Sequence, residues 1–134
     1  MSTEQDLLNR VLAAVGALPG VLAWRNNTGA LRDANGRMVR FGARGSADVF
    51  VIAAGRFVGI ECKHGRGRQS EDQKRWQRAC EAAGGVYVLA YDVETAVAAV
   101  RDALLVRPPA PMGDRLTGAQ AAGFAAPMGG WDDW

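Results

Sequence analysis

Apolar residues recur at helical spacing at Leu8, Val11, Leu12 and Val15 until Pro19-Gly20 stops the run, which predicts a first helix over about Thr3 to Leu18. Ser2 and Gln5 stand at capping-box spacing before it. Val21 to Arg25 is a short apolar run. Asn35-Gly36 is a two-residue turn signal between Ala30-Leu31 and Met38-Val39-Arg40-Phe41, the pattern of a β-hairpin. Ala47 to Ala53 and Arg56 to Lys63 are rich in Val, Ile and Phe and are separated only by Ala54-Gly55, so they read as adjacent antiparallel strands. A polar loop, His64 to Gln69, follows. Ser70 and Gln73 repeat the capping-box spacing and open a helix that ends at Gly84-Gly85. Val86 to Tyr91 is a further strand. Asp92 caps a last helix, with Val93, Ala96, Val97, Val100 and Leu104 on its apolar face, before Pro108-Pro109.

The expectation is an α/β domain over residues 1–107, a central mixed sheet flanked by helices in the order α-β-β-β-α-β-α. At 134 residues and 49% hydrophobic the chain fills one core. Residues 108–134 are rich in Pro, Gly and Ala without periodicity and read as a mobile tail. Its tip, Gly129-Gly130-Trp131-Asp132-Asp133-Trp134, has the form of a docking peptide for a protein partner. No apolar run is long enough to span a membrane, and Met1 to Arg10 is too polar for a secretion leader, so no membrane contact is expected. The expected location is the cytoplasm, or a host cytoplasm for a viral chain.

Charge sharpens this picture. The formal net charge is only +2, yet from Arg25 to Arg78 twelve Lys or Arg face five Asp or Glu, while beyond Arg107 one Arg faces three Asp. A basic centre suits a phosphate backbone. Cys62 and Cys80 lack the paired spacing of a zinc site and read as buried thiols. His64 is the only histidine, which excludes mechanisms built on a histidine cluster and leaves carboxylates and lysine as the first candidates.

Alternation along a strand turns Glu61 and Lys63 to one face and Val58, Ile60 and Cys62 to the other. An antiparallel return brings Asp48 towards Glu61, so two carboxylates and an ammonium converge. Paired carboxylates suit a hard divalent ion, and a lysine beside one can act on an attacking water or on developing phosphoryl charge. The chain has only two lysines, Lys63 and Lys74, against 14 arginines, so lysine at this position is a choice. A plain ion pair between Glu61 and Lys63 is the competing account. Glu4 stands four and seven residues before Leu8 and Val11, at the edge of the buried stripe, where it serves either the site or the helix macrodipole.

Gly45-Ser46-Ala47-Asp48, then Glu61-Cys62-Lys63, then Ser70-x-x-Gln73-x-x-Trp76, with Glu4 on the first helix, resembles the PD-(D/E)XK nuclease superfamily and within it the virus-type replication-repair (VRR-NUC) branch. The resemblance runs to about Leu105 and implies a restriction-endonuclease-like core. It also implies that Asp48, Glu61 and the Cys62 backbone carbonyl bind magnesium, with manganese able to substitute, that Lys63 acts on the attacking water, and that Glu4 and Gln73 complete the site. Ala47 stands where the family's name carries a proline. The implied activity is metal-dependent cleavage of DNA, branched or junction DNA first, by a homodimer.

Arg25 and Asn27, in the polar segment before the hairpin, together with Arg44, Arg66 and Arg68, are the expected DNA contacts. A plain turn also accounts for the segment Trp24 to Gly29. Two rivals remain at this level: a DNA-binding module without catalysis, and an interaction protein working through its C-terminal tip. Paired carboxylates would repel phosphate on a pure binding surface, which weighs against the first.

Overall fold

The computed structural model describes residues 3–106. The elements in chain order are α1 (Glu4–Gly16), β1 (Val21–Arg25), β2 (Gly29–Arg32), β3 (Met38–Phe41), β4 (Val49–Ala53), β5 (Arg56–Cys62), α2 (Glu71–Ala82), β6 (Val86–Ala90) and α3 (Val93–Leu105). The expected tail and its tryptophan-bearing tip lie outside the described residues.

Four strands form one sheet in the order β1-β4-β5-β6. β1 with β4 and β4 with β5 are antiparallel, whereas β6 returns parallel to β5 after the α2 crossover. The sheet is therefore mixed and flanked by helices, as expected, but five strands rather than three precede α2, and the expected order α-β-β-β-α-β-α holds only for the strands of the main sheet. β2 and β3 pair only with each other, so the hairpin is an excursion from the chain between β1 and β4.

The core lies between one sheet face and the pair α1–α3. Leu7, Leu8, Val11 and Val15 from α1 and Ala96, Val100 and Ala103 from α3 close over Val49, Val51, Val58, Ile60, Cys62, Val88 and Ala90. Burying so many branched side chains, each worth about 1.5–3 kcal/mol against exposure, is the main force holding the sheet. The opposite face is covered by α2. Trp76 stacks on Phe50 with centroids 5.8 Å apart and planes 10° from parallel. Gly59 makes this approach possible, since a Cβ there would stand 3.1 Å from the Trp76 ring. Towards β1 the cover runs out, and Leu22, Trp24 and Ile52 remain exposed.

Two local expectations are corrected. The first capping box is Thr3 with Asp6, not Ser2 with Gln5: Thr3 Oγ1 accepts from the Asp6 N–H at 3.0 Å and Asp6 Oδ2 accepts from the Thr3 N–H at 3.1 Å. The hairpin closes through a five-residue loop rather than a two-residue turn, because Arg32 pairs with Met38. Asp33 organises that loop by accepting from the N–H groups of Asn35 at 2.8 Å and Arg37 at 2.9 Å. The Ser70–Gln73 capping box and the Asp92 cap stand as predicted. No helix among the described residues is long and apolar enough to cross a membrane.

Candidate active site

The turn between β4 and β5 sets the register of the site. Ala54 and Gly55 both adopt positive φ, 49° and 87°, and Ala53 pairs with Arg56, the geometry of a two-residue hairpin. Counting back along that ladder, Val49 pairs with Ile60, so the next step sets Asp48 beside Glu61. Asp48 Oδ2 accepts from the Cys62 N–H at 2.8 Å, which ties the two strands together at this point.

Glu61 is 3% exposed. Its Oε1 accepts from Gln73 Nε2 at 2.8 Å and lies 3.5 Å from Lys63 Nζ, whose side chain is 14% exposed. Its Oε2 is buried without a hydrogen-bond partner. Burial first, then repulsion from Asp48, pushes the Glu61 carboxyl up to about 8, with Lys63 pulling the other way. Asp48 is raised as well, chiefly by burial, while the Cys62 N–H opposes the rise. Two carboxylates that resist ionising together, one with an orphaned oxygen, are short of positive charge at that spot. A hard divalent cation fits this donor set: it would satisfy Oε2 and remove the repulsion between Asp48 and Glu61.

Glu4 is exposed on the first turn of α1, and its charge contributes to the rise of both carboxylates. Among the described residues no three His, Cys, Asp or Glu side chains form a ligand cluster by themselves. A metal here would therefore draw on Asp48, Glu61, backbone and solvent or substrate oxygens. The Cys62 thiol is not available, being buried in the core and pushed up to about 12, mainly by burial.

Gln73 does two things at once. Its Oε1 accepts from the Ser70 N–H at 2.8 Å, closing the capping box, while its Nε2 holds Glu61. The start of α2 is thereby fixed to the carboxylate. Gly45, at φ 79°, lets the loop before Asp48 lie against the same helix start, where a Cβ would run into the Asp72 carbonyl.

Sequence reasoning missed Asn26. Its Nδ2 donates to Ser46 Oγ at 2.7 Å and to the Ala47 carbonyl at 2.9 Å, and its N–H donates to the Asp48 carbonyl at 2.8 Å. Ser46, itself buried, donates to the Ala43 carbonyl at 2.6 Å. Together they fix the turn that presents Asp48. The only sequence signal is a pair of amides after an apolar run, of which Asn26 is half-buried and Asn27, the expected DNA contact, is exposed. Of the expected DNA contacts, Arg25 is exposed and donates to Gln5 Oε1 at 3.1 Å, and Arg44, Arg66 and Arg68 are exposed. The loop bearing the last two is pinned where Tyr91 Oη donates to the Gly67 carbonyl at 2.9 Å.

No protein-family profile, curated protein or solved structure matches the chain.

Proposed function

We propose that the protein is a magnesium-dependent DNA endonuclease of the PD-(D/E)XK type, acting on branched or junction DNA. The observation that carries this reading is the half-buried Asp48 beside the buried Glu61, with Glu61 Oε2 unpartnered and Lys63 Nζ 3.5 Å from Oε1. A structural ion pair alone would account for Lys63 but leaves the adjacent half-buried carboxylate and the orphaned oxygen unexplained.

In this reading Asp48, Glu61 and the Cys62 carbonyl would hold the ion, which when bound would supply Lewis acidity to the scissile phosphoryl group. Gln73 holds the Glu61 carboxylate in one orientation through Nε2. Lys63 orients the attacking water and stabilises charge as it builds on the phosphoryl oxygens. The exposed arginines Arg66 and Arg68 approach the flanking phosphates without reading sequence. A homodimer would supply two such sites for paired cuts across a branch.

The test is cleavage of labelled DNA structures in magnesium, with chelator as control. Asp48→Asn and Glu61→Gln are each expected to abolish cleavage while leaving the circular dichroism spectrum unchanged. Undiminished cleavage by either variant, or full activity of the parent in chelator, would sink the proposal.

A further inference from the structure

The β2–β3 hairpin contributes no side chain to the carboxylate site, yet it springs from the same segment. Asn26 precedes it and Gly42 to Ser46 follow it, leading directly into Asp48. Neither strand joins the four-stranded sheet, and all eight strand residues are exposed.

Its register places the arginines on one side, beside Ala30 and the exposed Met38, and leaves the other side wholly apolar. Ala30 opposite Arg40 and Arg32 opposite Met38 share one side, whereas Leu31 opposite Val39 and Gly29 opposite Phe41 share the other. The second side exposes Leu31 by 67%, Val39 by 48% and Phe41 by 43%. The Phe41 ring is held across the facing strand, because a Cβ at Gly29 would stand only 2.7 Å from it. At the hairpin's root a cleft of about 220 Å³ is lined by Gly29, Gly42 and Gly45 together with Arg40 and Arg44. The three glycines let the hairpin root pack against Phe41, Thr28 and the start of α2, and the two guanidinium groups beside them supply the charge to hold a phosphate. Arg37, Arg40 and Arg44 make no ion pair among the described residues. Arg32 donates to the Gly36 carbonyl at 3.0 Å, which lays its guanidinium along the hairpin.

An arginine-bearing face backed by a wholly apolar one matches duplex DNA where it opens at a branch. There phosphates line the arms, and base-pair planes lose their stacking partners. We propose that the β2–β3 hairpin is a branch-engaging arm: Arg32, Arg40 and Arg44 hold the phosphates of one duplex arm, while Leu31, Val39 and Phe41 pack against base planes exposed at the branch point. The inference rests on the nuclease reading and gives it a structural reason for preferring branched substrate. Linear duplex offers the arginines a full set of partners but leaves the apolar side in water.

The experiment uses the full chain carrying Asp48→Asn, so that DNA is bound in magnesium without being cut. Fluorescence anisotropy is followed over a salt series on a four-way junction, a linear duplex and a single strand of the same sequence. Arg32→Gln with Arg40→Gln is expected to weaken junction and duplex binding by roughly tenfold and to lower the salt slope by about two. Leu31→Ser with Phe41→Ser is expected to leave duplex affinity as it was and to erase the preference for the junction. An unchanged salt slope in the arginine variant, or an unchanged junction preference in the apolar one, overturns the proposal. Dissociation of a dimer by the apolar variant with junction preference intact overturns it too, making that face a subunit interface. Should a variant misfold by circular dichroism, residues 29–41 can be replaced by a short glycine link. The ends are adjacent, with a Gly42 Cβ falling 3.1 Å from Thr28 Cα; loss of junction preference is then the expected result and its retention the contrary one. Failure of the nuclease reading shows separately, as absence of magnesium-dependent cleavage by the unmutated chain.

Discussion

Lys63 and Ala54 each owe their behaviour to what surrounds them, one beside a buried carboxylate and the other in a tight turn. Lys63 could be a phosphate anchor or a participant in the chemistry, and geometry separates the two: its side chain is mostly covered and its ammonium lies 3.5 Å from Glu61 Oε1 rather than reaching out over the surface. Lys63→Met is therefore expected to lose most of the cleavage rate, by 100-fold or more on the order of a lost general acid–base or electrostatic group, and to keep its DNA affinity. Single-turnover rates alongside equilibrium binding would check this; loss of binding with an unchanged rate for bound complexes would make Lys63 an anchor instead. Ala54 is a different case, being the one described non-glycine residue at positive φ, in an exposed turn. L-residues other than Asn and Asp resist this conformation by about 1–2 kcal/mol. Ala54→Asn would create the Asn-Gly pair that such turns favour, and is expected to stabilise the protein by about 1 kcal/mol, raising the melting temperature by a few degrees. An unchanged or lower melting temperature would show that the turn carries no such strain.

At the scale of elements, the site depends on two strand ends and a helix start being held together, and Asn26 is one of the clamps. Asn26→Ala removes both side-chain hydrogen bonds to the Ser46–Ala47 turn and leaves a partly buried carbonyl without its donor. The expected loss is about 1–3 kcal/mol of stability. Calorimetric titration with manganese at a temperature where the variant is still folded should also show weaker binding, because the backbone presenting Asp48 is freed. Parental metal affinity in the folded variant would reduce Asn26 to a purely structural residue. The same comparison explains what could be read from the chain alone. The Ser70–Gln73 box was legible because both partners lie within one turn. Asp48 beside Glu61 was legible because a two-residue turn leaves little freedom of register. The first cap was misplaced by one residue because Ser2-x-x-Gln5 and Thr3-x-x-Asp6 overlap, and only geometry decides between them. The clamp from Asn26 spans 20 residues to Ser46 and the hairpin's separation from the main sheet depends on tertiary placement, so neither leaves a local pattern.

For the molecule as a whole, the pair Asp48 and Glu61 links stability to pH and to metal. The Glu61 carboxyl sits at about 8 in the folded protein against an ordinary value of 4.5, so the folded state holds a proton that the unfolded state releases across that interval. Stability from this group is therefore fully present below about 4.5 and is lost as pH rises through about 8. The rise at Asp48 has the same sign. A divalent ion competes for the same oxygens, so its binding displaces protons at low pH and grows tighter as pH rises. The metal-free protein is accordingly expected to melt at lower temperature at pH 8.5 than at about 5.5, and magnesium or manganese to restore more of the loss at the higher pH. Glu61→Gln should flatten the pH dependence and shrink the metal increment together, since the amide neither titrates nor offers a charged ligand. Melting curves at several pH values, with chelator and with metal, would test the coupling. A metal increment that is the same at both pH values, or that survives in Glu61→Gln, would show that the ion binds elsewhere and that the carboxylate pair is only a structural feature of the sheet.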